Sequence, residues 1–131
     1  MAESAAIPQA ARSPCDLSAT ELCRLMARGE LSSREVVAAH LERIEQHDPA
    51  LKAFIQVFRQ RALAEAERAD KEPRRGPLHG LPVSVKENLD IAGEATTFGV
   101  AGRGAVKATR DAAMVTLLRD TFTAITFPLM V

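Results

Sequence analysis

The sequence predicts an α/β domain in which helices pack on an incomplete mixed sheet. Helix starts are marked twice, because Ser18 and Ser32 are each followed three residues later by a glutamate, the pattern of a capping box. A strand is marked by the short apolar run from Leu81 to Val85, which is bounded by glycine and proline. Helical and strand-like stretches alternate as far as Asp120, and such alternation is typical of α/β domains.

The first two helices are predicted close together in the N-terminal third of the chain. The first begins after Ser18 and ends at Gly29, where glycine breaks the helical pattern. The second begins after Ser32 and is expected to stop before Asp48-Pro49, because the residue that precedes a proline disfavours helix.

The middle and later elements follow from composition and periodicity. Residues 53–58, with the sequence AFIQVF, are β-branched and aromatic and predict a strand. A helix is expected from Arg59 to Lys71, where oppositely charged side chains four residues apart indicate a solvated face. A further helix is predicted to start at Thr109-Arg110-Asp111. Its buried side is formed by Ala112, Val115 and Leu118.

Three segments are expected along the chain. Residues 1–17 are small and polar with two prolines and predict a loose arm, and residues 18–120 form the partial domain. Residues 121–131, with the sequence TFTAITFPLMV, contain no charge and no glycine and are interrupted only by Pro128. Such a hydrophobic tail on an incomplete sheet predicts self-association through an unpaired sheet edge.

Composition excludes several classes of function. Lysine and arginine balance aspartate and glutamate at 17 each, and Trp and Tyr are absent, so neither a general nucleic-acid binder nor an anionic membrane surface is favoured. No stretch approaches a membrane span, and the N-terminal residues lack the pattern of a secretory signal. Cys15 and Cys23 are expected to be reduced thiols of a cytoplasmic protein. No metal site is expected, because the sequence has no His or Cys cluster at zinc-ligand spacing.

Two histidines have structural interpretations. His40 lies beside the apolar stripe of the second helix and is expected to be a half-buried packing or surface residue. His79 lies in the turn Leu78-His79-Gly80, where we expect it to orient the backbone rather than to transfer a proton.

The stretch from Gly76 to Gly93, GPLHGLPVSVKENLDIAG, contains the strongest candidate for chemistry. Its strand is expected to be buried on both faces and delivers one cation, Lys86. Desolvating an ammonium is costly, and lysine is a side chain whose pKa falls readily on burial, which makes it a usable proton acceptor. Lys86 is therefore either a general base or a side chain that reaches solvent directly after the buried Val85.

The segment GPLHGLPVSVKEN, followed by Gly93, Thr96 and Thr97, resembles the amidase signature family. The resemblance implies the N-terminal portion of an amidase-signature fold, extending from about Asp16 to Asp120. It implies hydrolysis of a small-molecule carboxamide to carboxylate and ammonia, without a cofactor, with Lys86 as the lysine of a Ser–cis-Ser–Lys triad. The family more often has Asp directly after the lysine, where this chain has Glu87.

The serines decide what the 131 residues can do by this mechanism. In the family both triad serines follow the lysine, whereas this sequence has no serine after Lys86. Ser84 precedes the lysine, and the resemblance gives it no nucleophilic role. The first hypothesis is therefore an amidase-type C–N hydrolase fragment that departs from the family at about Thr121 and is inactive alone. The alternatives are a non-catalytic remnant or interaction module, and a fragment of the A-type component of a tRNA-dependent amidotransferase that has no direct contact with nucleic acid.

Overall fold

The computed structural model describes residues 12–100, 102–122 and 124–129, with only the backbone considered for residues 105 and 124–129. Within these ranges four helices and two strands form, and the α/β class predicted from the sequence is confirmed. In chain order they are α1 Ala19–Ala27, α2 Ser33–Leu51, α3 Arg59–Lys71, β1 Pro82–Lys86, α4 Ala113–Thr121 and β2 Ala124–Leu129.

Both predicted capping boxes are present. The Ser18 hydroxyl accepts the N–H of Glu21, and the Glu21 carboxylate in turn accepts the N–H of Ser18 at 2.8 Å. Ser32 and Glu35 repeat the arrangement at the start of α2. Each box satisfies backbone donors that a helix start would otherwise leave without a partner, which confirms the two predicted starts.

The predicted end of α2 is wrong, because the helix continues through Pro49 to Leu51. Pro49 lies in the last turn, where the hydrogen bond it cannot donate belongs to the exposed end of the helix. The capping residue after Leu51 is Lys52, whose backbone is left-handed with φ of 52° and whose N–H donates to the Asp48 carbonyl at 2.7 Å.

The predicted strand at residues 53–58 is also wrong, since only Phe54 takes part in bridge pairing there. The Asp48 carboxylate accepts the backbone N–H groups of Ala53 and Phe54 at 2.8 and 3.1 Å. This contact uses donors that a strand would need for its ladder. Ile55 and Val57 remain exposed, so no apolar partner compensates.

The two later helices differ in how closely they match the prediction. Helix α3 has the predicted bounds Arg59–Lys71. Helix α4 begins at Ala113 and not at Thr109, because Asp111 is engaged outside the helix. Its carboxylate accepts the N–H of Ala92 at 2.7 Å and Nε of Arg119 at 2.6 Å. Val115 is fully buried as expected.

The sheet of the described residues pairs β1 with β2 in parallel, with α4 in the connection between them. The register aligns Pro82 with Ala124 and Lys86 with Leu129, with one irregularity between Val83 and Ser84. The prediction that β1 is buried on both faces is wrong for the described residues. Val85 is buried, whereas Ser84 and Lys86 are exposed.

Three apolar clusters hold these elements together. The first joins α2 to α3, the second joins α1 and α2 to the start of β1, and the third joins the end of β1 to α4. Their buried members are, respectively, Val37, Leu41, Ala62 and Ala66; Leu22, Met26, Val36 and Leu81; and Val85, Ile91 and Val115.

The two ends of the chain are described in part. Residues 1–11 of the predicted arm lie outside the described residues, as do 123, 130 and 131 of the predicted tail. Pro14–Asp16 form a 3-10 turn, and the Asp16 carboxylate pairs with Arg43 of α2 at 2.9 Å. Leu17 packs against the cluster between α1 and α2.

Candidate active site around Lys86

The strand that carries Lys86 starts from a turn bound to the N-terminal end of α2. Gly80 has a φ of +89°, a left-handed conformation that glycine adopts at little cost. Its carbonyl accepts the buried Ser33 hydroxyl at 2.5 Å. The N–H of Ser33 donates to the Asp70 carboxylate at 2.7 Å, which ties the same point to α3.

His79 contacts the backbone through both ring nitrogens. The ring is 3% exposed, Nε2 lies 2.9 Å from the Ala69 carbonyl oxygen, and Nδ1 accepts the N–H of Arg75 at 3.4 Å. The predicted backbone-orienting role is therefore confirmed. His40 is half-buried as predicted, with Nδ1 lying 2.8 Å from the Val36 carbonyl oxygen one turn earlier.

Lys86 is the last residue of β1 and lies on its exposed face. Ser84 shares that face, because side chains two residues apart on a strand point to the same side. The Lys86 ammonium makes no hydrogen bond or ion pair with any residue of the described ranges. Of the two interpretations drawn from the sequence, the contacts among these residues match the side chain that reaches solvent.

Glu87 carries a buried charge next to Lys86, and the sequence alone indicated no role for it. Its side chain is 7% exposed, and its carboxylate accepts the N–H of Thr97. Burial alone would raise the pKa of Glu87, but N–H groups at Thr97, Phe98 and Gly99 outweigh it and hold the pKa below the ordinary value of 4.5. The signal available in the sequence was an acidic residue directly after the strand, ten positions before a Thr-Phe-Gly turn.

Two further contacts fix the loop that follows Lys86. The Thr96 hydroxyl donates to the Asp90 carboxylate at 2.7 Å, and the Ala112 N–H donates to the Asp90 carbonyl at 2.9 Å. Burial would raise the pKa of Asp111, but the hydrogen bonds from Arg119 and from the Ala92 N–H hold it below its usual range. The loop is therefore bound at Asp90 and Ala92 to the residues that precede α4.

A cavity of about 590 Å³ opens beside this loop. It is lined by polar and apolar side chains, among them Asn88, Asp90, Phe98, Arg103 and Val106. Its size suits a small organic molecule with a few polar groups.

The described residues contain no group of three metal-ligating side chains. No helix within those ranges is long and apolar enough to cross a membrane.

The described residues offer one candidate proton acceptor, Lys86 on the exposed face of β1, and no nucleophile beside it. A lysine nitrogen accepts a proton from a hydroxyl only in its neutral form, which burial favours. Ser84 is the one serine on that face of β1, and the resemblance gives it no nucleophilic role. Acyl transfer needs a nucleophile and oxyanion donors in addition to the base.

Comparison with known proteins identifies the family. The profile described as Amidase matches residues 35–125. The chain is 42% identical over 112 residues or more to several relatives, among them fatty-acid amide hydrolase 2-B of Danio rerio, aligned over 79% of this chain and 22% of the relative. It is 48% identical over 88 residues to the A-type component of the glutamyl-tRNA(Gln) amidotransferase of Salinispora arenicola, and this alignment covers 63% of this chain and 18% of that protein.

The fold agrees with the sequence match. The solved structure of native peptide amidase from Stenotrophomonas maltophilia superposes with a TM-score of 0.78 at 34% identity. The alignment covers 87% of this chain and 24% of that one. The chain thus spans about a quarter or less of the length of the proteins that it matches.

Proposed function

Because the chain belongs to the Amidase family, we propose that it provides the proton-accepting lysine, Lys86, of a hydrolase that cleaves a small-molecule carboxamide. The observation that carries the proposal is the placement of Lys86. It ends β1 on an exposed face, within the range that the family profile matches, and its ammonium has no partner among the described residues. A lysine committed to a structural ion pair would not meet this condition.

The reaction assigns one step to this side chain. The step needs neutral Nζ, which burial of Lys86 by the rest of such a hydrolase favours. Nζ then accepts the proton of a bridging serine hydroxyl, which takes the proton of the nucleophilic serine as that oxygen attacks the amide carbon. The C–N bond breaks, ammonia leaves with a proton returned through the same relay, and water then hydrolyses the acyl ester. The sequence has no serine after Lys86, so we expect the 131 residues alone to lack amide hydrolysis.

The first test measures ammonia release from a simple primary carboxamide. The 131-residue chain should release no more than its Lys86→Ala variant. The chain is then grafted onto the peptide amidase of Stenotrophomonas maltophilia in place of the aligned quarter. In an active graft, Lys86→Ala should lower kcat/KM by about 10²–10⁴-fold, the usual contribution of a general base.

A matched control separates this role from a general effect of charge. Lys71→Ala removes an exposed lysine at the end of α3 and should leave the graft's rate unchanged. Amide hydrolysis by the 131 residues that depends on Lys86 would refute the expected inactivity. An active graft indifferent to Lys86→Ala would refute the catalytic role.

The second candidate is the A-type component of a glutamyl-tRNA(Gln) amidotransferase, in which the released ammonia is passed onward. The 48% identity to the Salinispora arenicola protein favours it. Both candidates use Lys86 in the same way, so the acceptor distinguishes them. Transfer of ammonia from glutamine to glutamyl-tRNA, measured with the partner proteins present, supports the second candidate, whereas hydrolysis of simple amides supports the first.

A non-catalytic interaction module is the remaining alternative, and an inactive graft that folds would favour it. We also propose that the chain self-associates through the open edges of its sheet. Each strand of the two-stranded sheet has one edge without a strand partner among the described residues, and such an edge can pair with another chain. A cytoplasmic location remains a prediction that cell fractionation tests.

A further inference from the structure

The Glu87 carboxylate is a buried anion with an unusual set of partners. Among the described residues no Lys or Arg pairs with it. The Thr97 N–H donates to it, and the Thr97 hydroxyl and the N–H groups of Phe98 and Gly99 lie beside it, with the Gly99 N–H also donating to the Thr97 hydroxyl at 3.2 Å. A buried carboxylate is costly unless it is paired or hydrogen-bonded. Consecutive N–H groups that converge on one anion form a nest, a site better known for binding phosphate.

The backbone of this nest is held in a conformation that it would not adopt unaided. Phe98 has a φ of +53° and Gly99 a φ of +70°. A left-handed bulky residue is a genuine outlier, with a cost of about 1–3 kcal/mol that the surroundings must offset. The Phe98 ring does not offset it by burial, since it is 55% exposed, with the Arg103 guanidinium 5.0 Å from its centroid. The turn is closed by the Val100 N–H on the Thr97 carbonyl at 2.9 Å and by the Gly99 N–H on the Thr97 hydroxyl at 3.2 Å. The Glu87 carboxylate binds the Thr97 N–H at the start of the turn.

Glu87 is also the residue directly after Lys86. Lys86 ends the strand on the exposed face that it shares with Ser84, and Glu87 is the first residue of the turn that follows, with its side chain held inward. The Lys86 carbonyl accepts the Leu89 N–H at 3.1 Å, which closes the turn beneath the pair. The strand end that orients Lys86 is thus bound to the loop ten residues later through one carboxylate.

We propose that Glu87 is a positioning residue, an internal anion that holds the Thr97–Gly99 turn and thereby fixes the direction of Lys86. The catalytic meaning of that direction rests on the function proposed for Lys86. The claim that the Glu87 carboxylate holds this turn does not rest on that function, because it concerns only a backbone nest filled by a carboxylate. Removing that carboxylate should leave an empty anion site that a small free carboxylate can occupy.

The experiment uses the full chain and needs no activity. Glu87→Ala and Glu87→Gln are compared with wild type by amide hydrogen exchange and by the NMR order parameter of the Lys86 amide. Protection at Thr97 should fall by about tenfold or more, because its N–H loses the carboxylate to which it donates. The Lys86 order parameter should fall with it. Added formate should restore both in Glu87→Ala, whereas chloride at equal ionic strength should restore neither.

Glu42→Ala is the matched control. It removes an exposed glutamate of α2 with no hydrogen bond or ion pair among the described residues, and it should change neither signal, with or without formate. Glu87→Gln keeps the volume and one acceptor oxygen but removes the charge, so it should lose less protection at Thr97 than Glu87→Ala. If Glu87→Ala does not fold, a Glu87→Gln chain that loses no protection at Thr97 overturns the role of the charge.

Three results would overturn the proposal: unchanged protection at Thr97, protection lost equally throughout the chain, or a Glu87→Ala variant that formate does not restore. An unchanged Lys86 order parameter in a variant that has lost loop protection would overturn the positioning of Lys86. Failure of the proposed function would instead appear in the graft assay and leave these signals as they are.

Discussion

Gly80 lies in the turn from which β1 starts, and replacing it with alanine should lower the free energy of unfolding. In Gly80→Ala the left-handed φ of +89° costs about 1–2 kcal/mol for any L side chain. The new Cβ would also lie 3.1 Å from Ser33 Cβ and 3.4 Å from Met26 Sδ. Ser33 is buried and donates to the Gly80 carbonyl. If Ser33 shifts to avoid the new methyl group, the fold loses packing or that hydrogen bond, which costs about 1–2 kcal/mol more.

Two other glycines separate these contributions. Gly29 has a φ of +69° but open space around its Cβ position, so Gly29→Ala should cost only the conformational part, about 1–2 kcal/mol. Gly76 has neither a left-handed φ nor a neighbour within 4 Å, so Gly76→Ala should be neutral or stabilise by about 0.4–1 kcal/mol. Gly80→Ala is expected to lower the free energy of unfolding by about 2–4 kcal/mol in total.

Urea unfolding followed by circular dichroism measures all three variants. A cost for Gly80→Ala equal to that of Gly29→Ala would show that the contact with Ser33 contributes nothing. A Gly80→Ala chain as stable as wild type would refute both the left-handed turn and its attachment to α2. Because stabilities of small domains are about 5–15 kcal/mol, the predicted loss is well within reach of the assay.

Two further predictions concern acid stability and assembly. The pKa of Asp111 is lower in the folded chain than its ordinary 3.8, so its contribution is present above that value and lost as pH falls through the folded pKa. Asp111→Asn should therefore lower the urea midpoint at neutral pH and flatten the decline of that midpoint below pH 3.8. Asp120→Asn, at an exposed position without a described partner, is the control and should do neither. Equal pH profiles for the two variants would contradict this prediction. The second prediction is that the chain forms dimers or larger species in sedimentation at increasing concentration, and a monomer that unfolds cooperatively throughout would contradict pairing through open sheet edges.

Local signals in the sequence determined the starts of α1, α2 and α3 and the candidate lysine. The two capping boxes act within three residues of each other along the chain, so Ser18 and Ser32 could be identified without knowledge of the fold. Helix α3 followed from composition in the same way. Lys86 was recognised because its strand and its neighbours form one continuous motif, which the family match over residues 35–125 supports.

Tertiary contacts decided what local signals could not. Asp48 took the backbone donors of residues 53–54 and ended the predicted strand, and Asp111 delayed the start of α4 by binding Arg119 and a loop amide. The side chain of Glu87 and the turn at 97–99 meet only in the fold, as do Ser33 and Gly80, which are 47 residues apart. Partners distant in sequence have no periodicity or spacing to reveal them. The sequence by itself therefore identified Lys86 as the candidate proton acceptor, and the tertiary structure decided that the next carboxylate, Glu87, is buried against the turn at 97–99.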